Sequence, residues 1–196
     1  VLLFNVKISE ANDDSTYIES GYKYVTEFPK FFHTFNAPLY PMVLALIIKL
    51  FGFHLILFKC FSVLFNLLGL ILLYKALNNR IHAIIFIPVI LFHAINHQML
   101  YYASMTFSEA FYVFLQSLMV FSFVKLYDSI CLIGIDLKKQ YLSWLFFGLT
   151  LLLLSTARSV GIIAVPVAIL FFLLDKKYKA ILFTVLSYGV FKLIYE

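Results

Sequence analysis

PLYPMVLALIIKLF, residues 38–51, is the stretch on which the reading of this chain turns. As a helix its 14 residues cover about 21 Å at 1.5 Å each, short of the roughly 30 Å of bilayer hydrocarbon. Pro38 and Pro41 stand at its start, Lys49 near its end, and Gly52 breaks it. Six other apolar stretches approach or reach a spanning length: 54–77, 81–101, 106–127, 140–157, 159–174 and 179–195.

Positive charge arbitrates whether 38–51 crosses. If it does not, Lys75 and Arg80, then Lys125, Lys138 and Lys139, then Lys176, Lys177 and Lys179 all fall on one face, the cytoplasmic one. The facing short loops then carry only Glu109 and Arg158. If it does cross, the rule fails at three loops together. The segment is therefore expected to lie in the interface or to re-enter.

Composition agrees with that class. The chain is 63% hydrophobic and 13% charged, against about 45–50% and 25% in soluble domains, which marks an integral, multi-pass membrane protein. Its 15 basic residues sit singly or in small groups between apolar runs, a pattern that orients helices and does not indicate a nucleic-acid partner. Cys60 and Cys131 lack metal-site or disulfide-framework spacing and read as small core hydrophobes. The chain opens at Val1 in a short apolar run and closes just after another, so an internal piece of a longer protein is expected.

Five of the ten acids, Glu10, Asp13, Asp14, Glu19 and Glu27, gather in residues 8–32, on the non-cytoplasmic side in this topology. Thr16 and Glu19 fit a capping box, and Tyr17, Gly21, Tyr24 and Phe28 recur at helical spacing, so an interfacial helix is expected over 16–28. Asp13 and Asp14 would precede it, either as a solvated turn at its positive end or as a base facing an aqueous acceptor.

Asp13-Asp14-Ser15-Thr16-Tyr17, then Ala37-Pro38-Leu39-Tyr40-Pro41 and an apolar run closing on Leu50-Phe51-Gly52, resembles the start of the GT-C membrane glycosyltransferases. The protein O-mannosyltransferase and aminoarabinose transferase group is the most similar by motif. Ser108-Glu109 and Thr156-Ala157-Arg158-Ser159-Val160-Gly161 resemble its Ser-Glu and Arg-x-x-Gly features, so the motifs run in order along most of the chain. Asp14 stands where Glu is common there, and Asn36-Ala37-Pro38 where a basic approach to the proline is usual.

The resemblance implies an all-α, polytopic GT-C-like bundle. Residues 1–8 would end a first transmembrane helix, 9–53 would form an external loop with interfacial helices at 16–28 and 38–51, and 54–196 would hold six further spans, all in one transmembrane domain. It further implies transfer from a polyprenyl-phosphate sugar donor to a lipid, glycan or protein acceptor at the external face, among membrane lipids. In a bacterium that membrane would be the plasma or inner one. The family's catalytic aspartate matches Asp13, with Asp14 beside it.

Other polar residues have two readings each. Arg158 sits at the junction of two apolar helices, where its fork suits a donor phosphate or snorkels to headgroups. Glu109 opens a helix, as a dipole partner or as part of the substrate cavity together with Tyr17, His33 and His97. His93 and His97, four apart on 81–101, form a weak divalent-metal pair lacking a visible third ligand, and no cofactor is otherwise indicated. A transporter or flippase for a lipid-linked or small substrate is the alternative class, which would place ionisable groups mid-helix. A non-catalytic scaffold would be indifferent to Asp13.

Overall fold

Aliphatic and aromatic runs continue as helix, even through Pro88 and Gly148, and the chain breaks at Gly52 and Gly134, which hold positive φ. The computed structural model describes residues 12–28, 37–97, 100–101, 106 and 108–195, and it is all-helical among them. Among the described residues the helices run in order α1 (Asn12–Thr26), α2 (Leu39–Phe51), α3 (Leu55–Leu77), α4 (Ala83–Ile95), α5 (Ser108–Ile133), α6 (Leu137–Ala157), α7 (Ala164–Leu174) and α8 (Tyr178–Tyr195). A short 3₁₀ helix, Ser159–Ile163, leads into α7. Four of them, α3, α5, α6 and α8, are long and apolar enough to cross a membrane. Their surfaces fit that solvent: Leu132, Leu193 and Ile194 are at least 75% exposed, which water would oppose. The chain forms two compact units, residues 1–114 and 115–196, with the boundary inside α5.

In the N-terminal unit α1 and α2 pack as a pair. Ile18, Ser20, Gly21 and Tyr24 are buried on α1, and Tyr40, Pro41, Leu44, Ile47 and Ile48 on α2, the three-to-four spacing of one helical face. Gly21 permits the close approach, since a Cβ there would stand 3.0 Å from Leu44 Cβ and 3.2 Å from the Pro41 carbonyl. Leu44 and Ile47, 1% and 4% exposed, hold the pair by close van der Waals packing. The 13 residues of α2 end at Gly52, whose φ of 82° is comfortable only without a side chain. That is the short helix its length and prolines foretold.

The C-terminal unit is built around Leu126, Ile130, Trp144, Phe147, Leu151, Ala168, Phe172 and Ala180. α6 meets α8 where Gly148 faces Ser187 so closely that a Cβ would lie 2.6 Å from the Ser187 carbonyl carbon. Small residues let apolar helices approach backbone to backbone, and here Thr184 and Ser187 bond back to carbonyls of their own helix at 2.9 and 3.0 Å. Ser122 and Thr150 bridge α5 and α6 at 3.0 Å.

Several helices differ from their sequence reading. The one expected at 16–28 already includes Asn12 and ends at Thr26, so Thr16 is interior and Glu19 pairs with Lys23 at 2.6 Å instead of closing a capping box. Carboxylates favour a first helical turn, and this draws Asp13 and Asp14 into the helix. The stretch 81–101 is not one continuous helix: α4 takes 13 of its residues and ends where Asn96 turns to ψ 120°. The span expected at 159–174 begins as 3₁₀ helix, so two of the six expected spans are short pieces. α5 instead runs on to Ile133, past the expected end at 127. Residues 1–8 lie outside the described residues.

Candidate functional site

The N-terminal unit gathers its polar groups where α1, α2 and the start of α5 meet. Ser108, the first residue of α5, donates from Oγ to the Tyr17 hydroxyl oxygen at 3.3 Å across 91 positions of sequence. The Tyr17 ring meets Tyr40 edge-on with centroids 5.3 Å apart, and Tyr40 in turn packs on Phe111 at 5.8 Å. Tyr40 and Ser108 are each 1% exposed and Thr106 is fully buried, so the cluster is dry. Thr106 Oγ1 has no hydrogen-bond partner among the described residues, a state that costs about 1–3 kcal/mol. Glu109 follows in the first turn of α5, half-buried and engaged in an interaction of its own.

Tyr17, singled out in the sequence, is therefore brought to Ser108, the neighbour of Glu109 along the chain. Asp13 lies one helical turn before Tyr17, about 6 Å along the axis. The side chains of Asp13 and Asp14, and all of His33, lie outside the described residues. Further along α1, the hydrogen bond from Lys23 and then its charge hold the Glu19 carboxyl below its ordinary range. The same contacts raise Lys23.

Lys59 was passed over in the sequence. It is 1% exposed on α3, on a buried face with Ser62, Asn66 and Gly69, and it is engaged in an interaction. Removing an ammonium from water costs several kcal/mol, so an intramembrane lysine must have a counterpart and is a functional candidate by default. The signal was legible as one lysine inside LILFKCFSVLFNLL.

Arg158 belongs to the C-terminal unit. It is the extended residue between α6 and the 3₁₀ helix, with φ −152° and ψ 143°, half-buried and engaged. Its carbonyl accepts from the Gly161 amide at 2.8 Å, closing the turn. A Cβ on Gly161 would collide with the Leu154 carbonyl. The Arg-x-x-Gly spacing thus has a structural cause: glycine lets the chain fold back on the end of α6 and hold Arg158 at that end.

Among the described residues the histidine pair gains no third metal ligand. α4 ends at Ile95, so His93 and His97 lose the one-turn register that would align them. His93 Nε2 is buried without a partner among the described residues, whereas His97 is exposed. No group of three His, Cys, Asp or Glu residues stands together among the described residues. Cys60 and Cys131 are both free and exposed, not the buried packing residues expected from the sequence. No protein-family model, curated protein or solved structure matches the chain.

Proposed function

We propose that the chain is part of a multi-pass membrane glycosyltransferase of GT-C type, moving a sugar from a polyprenyl-phosphate donor to an acceptor at the external face. The observation that carries this reading is the Ser108–Tyr17 hydrogen bond. It ties the helix bearing Asp13 to the Ser108-Glu109 pair, joining in one unit two of the features on which the resemblance rests. In this reading Asp13 is the general base that takes the acceptor's proton, while Glu109 and Tyr17 line the cavity. Arg158 is the contact to the donor phosphate.

A transporter or flippase is the second reading, and buried Lys59 favours it, since carriers keep ionisable groups inside the bilayer. Its position counts the other way. Lys59 is the fifth residue of α3, about 6 Å from the helix start in a span of about 34 Å, which is the rim of a membrane and not its centre. The rim suits chemistry at the surface.

The test is transfer from a polyprenyl-phosphate sugar by the full-length protein, with wild type set against Asp13→Asn. A loss of about 10²-fold or more in kcat with an unchanged thermal midpoint is expected. Full activity in the variant removes Asp13 from the mechanism. Substrate flux across vesicles without sugar transfer, lost in Lys59→Met, would establish the carrier instead.

A further inference from the structure

In the C-terminal unit the link between α5 and α6 and the corner between α7 and α8 share one end. Lys177 Nζ reaches Cys131 Sγ at 3.7 Å and lies 4.1 Å from the centre of the Tyr127 ring, while the Tyr127 hydroxyl donates to Asp175 at 3.0 Å. These contacts bring Lys138 and Lys139, at the start of α6, to the same end as Lys176, Lys177 and Lys179. Arg158 stands at the far end of α6, 21 residues and about 31 Å away.

The acids at this end are already committed. Asp136 accepts from the Lys138 and Lys139 amides at 2.9 and 3.4 Å as the cap of α6. Asp175 is bound by Lys177 at 2.8 Å and by Tyr127, and Asp128 is engaged as well. Five lysines, Lys138, Lys139, Lys176, Lys177 and Lys179, stand against three acids, Asp128, Asp136 and Asp175, so this surface keeps a net charge of +2 although Lys139 pairs with Asp136 at 4.0 Å, and Lys138, Lys139, Lys176 and Lys179 are exposed. Lys176 holds φ 55°, a left-handed turn where glycine is the comfortable residue. Below the lysines, large apolar side chains are exposed: Leu132 83%, Leu142 65%, Leu174 75% and Tyr178 65%. A cationic ring above an apolar and tyrosine collar matches the layering of headgroups over acyl chains.

We propose that this end is a binding surface for anionic phospholipid headgroups of one leaflet. Neutral soluble partners offer nothing to the lysines, and a compact soluble anion offers nothing to the collar. The inference rests on α5, α6 and α8 crossing the membrane, and it is independent of sugar transfer.

The experiment measures association of spin-labelled phosphatidylglycerol relative to phosphatidylcholine, with the full chain in phosphatidylcholine vesicles. Wild type should prefer the anionic label several-fold, since each lysine near a charged surface contributes about fivefold. Changing Lys138, Lys139, Lys176 and Lys179 together to glutamine should bring the ratio near one, changing them to arginine should restore it, and salt of about 1 M should weaken it. An unchanged ratio in the glutamine variant overturns the proposal, as does a wild type without preference. Millimolar inorganic phosphate abolishing the preference also overturns it, by showing a pocket for a free anion.

Discussion

The two units treat buried polar groups in opposite ways. In the C-terminal unit Ser122, Gln140, Thr150, Thr184 and Ser187 are buried and each has a hydrogen-bond partner, from one helix to another for Ser122, Thr150 and Gln140 and within the same helix for Thr184 and Ser187. Trp144 Nε1 is the exception, without a partner in an otherwise apolar core. In the N-terminal unit, Thr106 and His93 Nε2 are buried without partners among the described residues, and Lys59 is buried in a helix that could have carried a leucine. Thr106 and His93, whose buried polar atoms lack partners among the described residues, and the buried ammonium of Lys59 are where function is to be sought. By this measure the C-terminal unit is mainly scaffold, Arg158 apart, and the proposed base belongs to the N-terminal unit.

The contrast breaks first at Asp13. Asp13→Asn should lower transfer by about 10²-fold or more, whereas Asp128→Asn in the scaffold should leave the rate within about twofold. Equal losses would remove the distinction between the units. Packing comes next: Gly148→Val should cost several kcal/mol or prevent folding, because its Cβ would meet the Ser187 backbone at 2.6 Å. Gly21→Ala should cost less, about 1–3 kcal/mol, since at 3.0 Å the neighbouring Leu44 can yield. Denaturant melts in detergent rank the two. Ser108→Ala should cost about 1 kcal/mol through the lost bond to Tyr17, and Tyr17→Phe a similar amount. If either also lowers kcat while Thr184→Ala does not, the site assignment sharpens.

The smallest effect is in pH. The hydrogen bond from Lys177, and after it that from Tyr127, keeps the Asp175 carboxyl below its ordinary value of 3.8. A lowered folded value means that stability is present above the unfolded value and is lost as pH falls through the folded one. The thermal midpoint of wild type minus that of Asp175→Asn should therefore be constant from about pH 7 to 5 and shrink below about pH 4. A difference that grows on acidification would contradict the pairing.

Legibility in the sequence followed the range of the forces. Residues 38–51 could be read because length, two prolines and Gly52 are local, and α2 formed as a short helix. The start of α1 was misread because Thr16 and Glu19 imitate a capping box, while the two aspartates before them are good first-turn residues themselves. The end of α4 was missed because apolar content continues toward Leu100 although Asn96 has already left the helix. Hydropathy does not see backbone dihedrals.

What the sequence determined by itself is the solvent of the chain and the shortness of the helix at 38–51. Burial in lipid is decided by composition over about twenty consecutive residues, and that is read without knowing any contact. Only the tertiary structure decided that Tyr17 meets Ser108, that Gly148 lies against Ser187, that Lys59 is enclosed, and that the lysines at 138–139 and 176–179 share an end. Those pairings depend on which helix faces pack together, and that choice is made by shape and hydrogen bonding between segments, for which no short stretch of sequence carries a period.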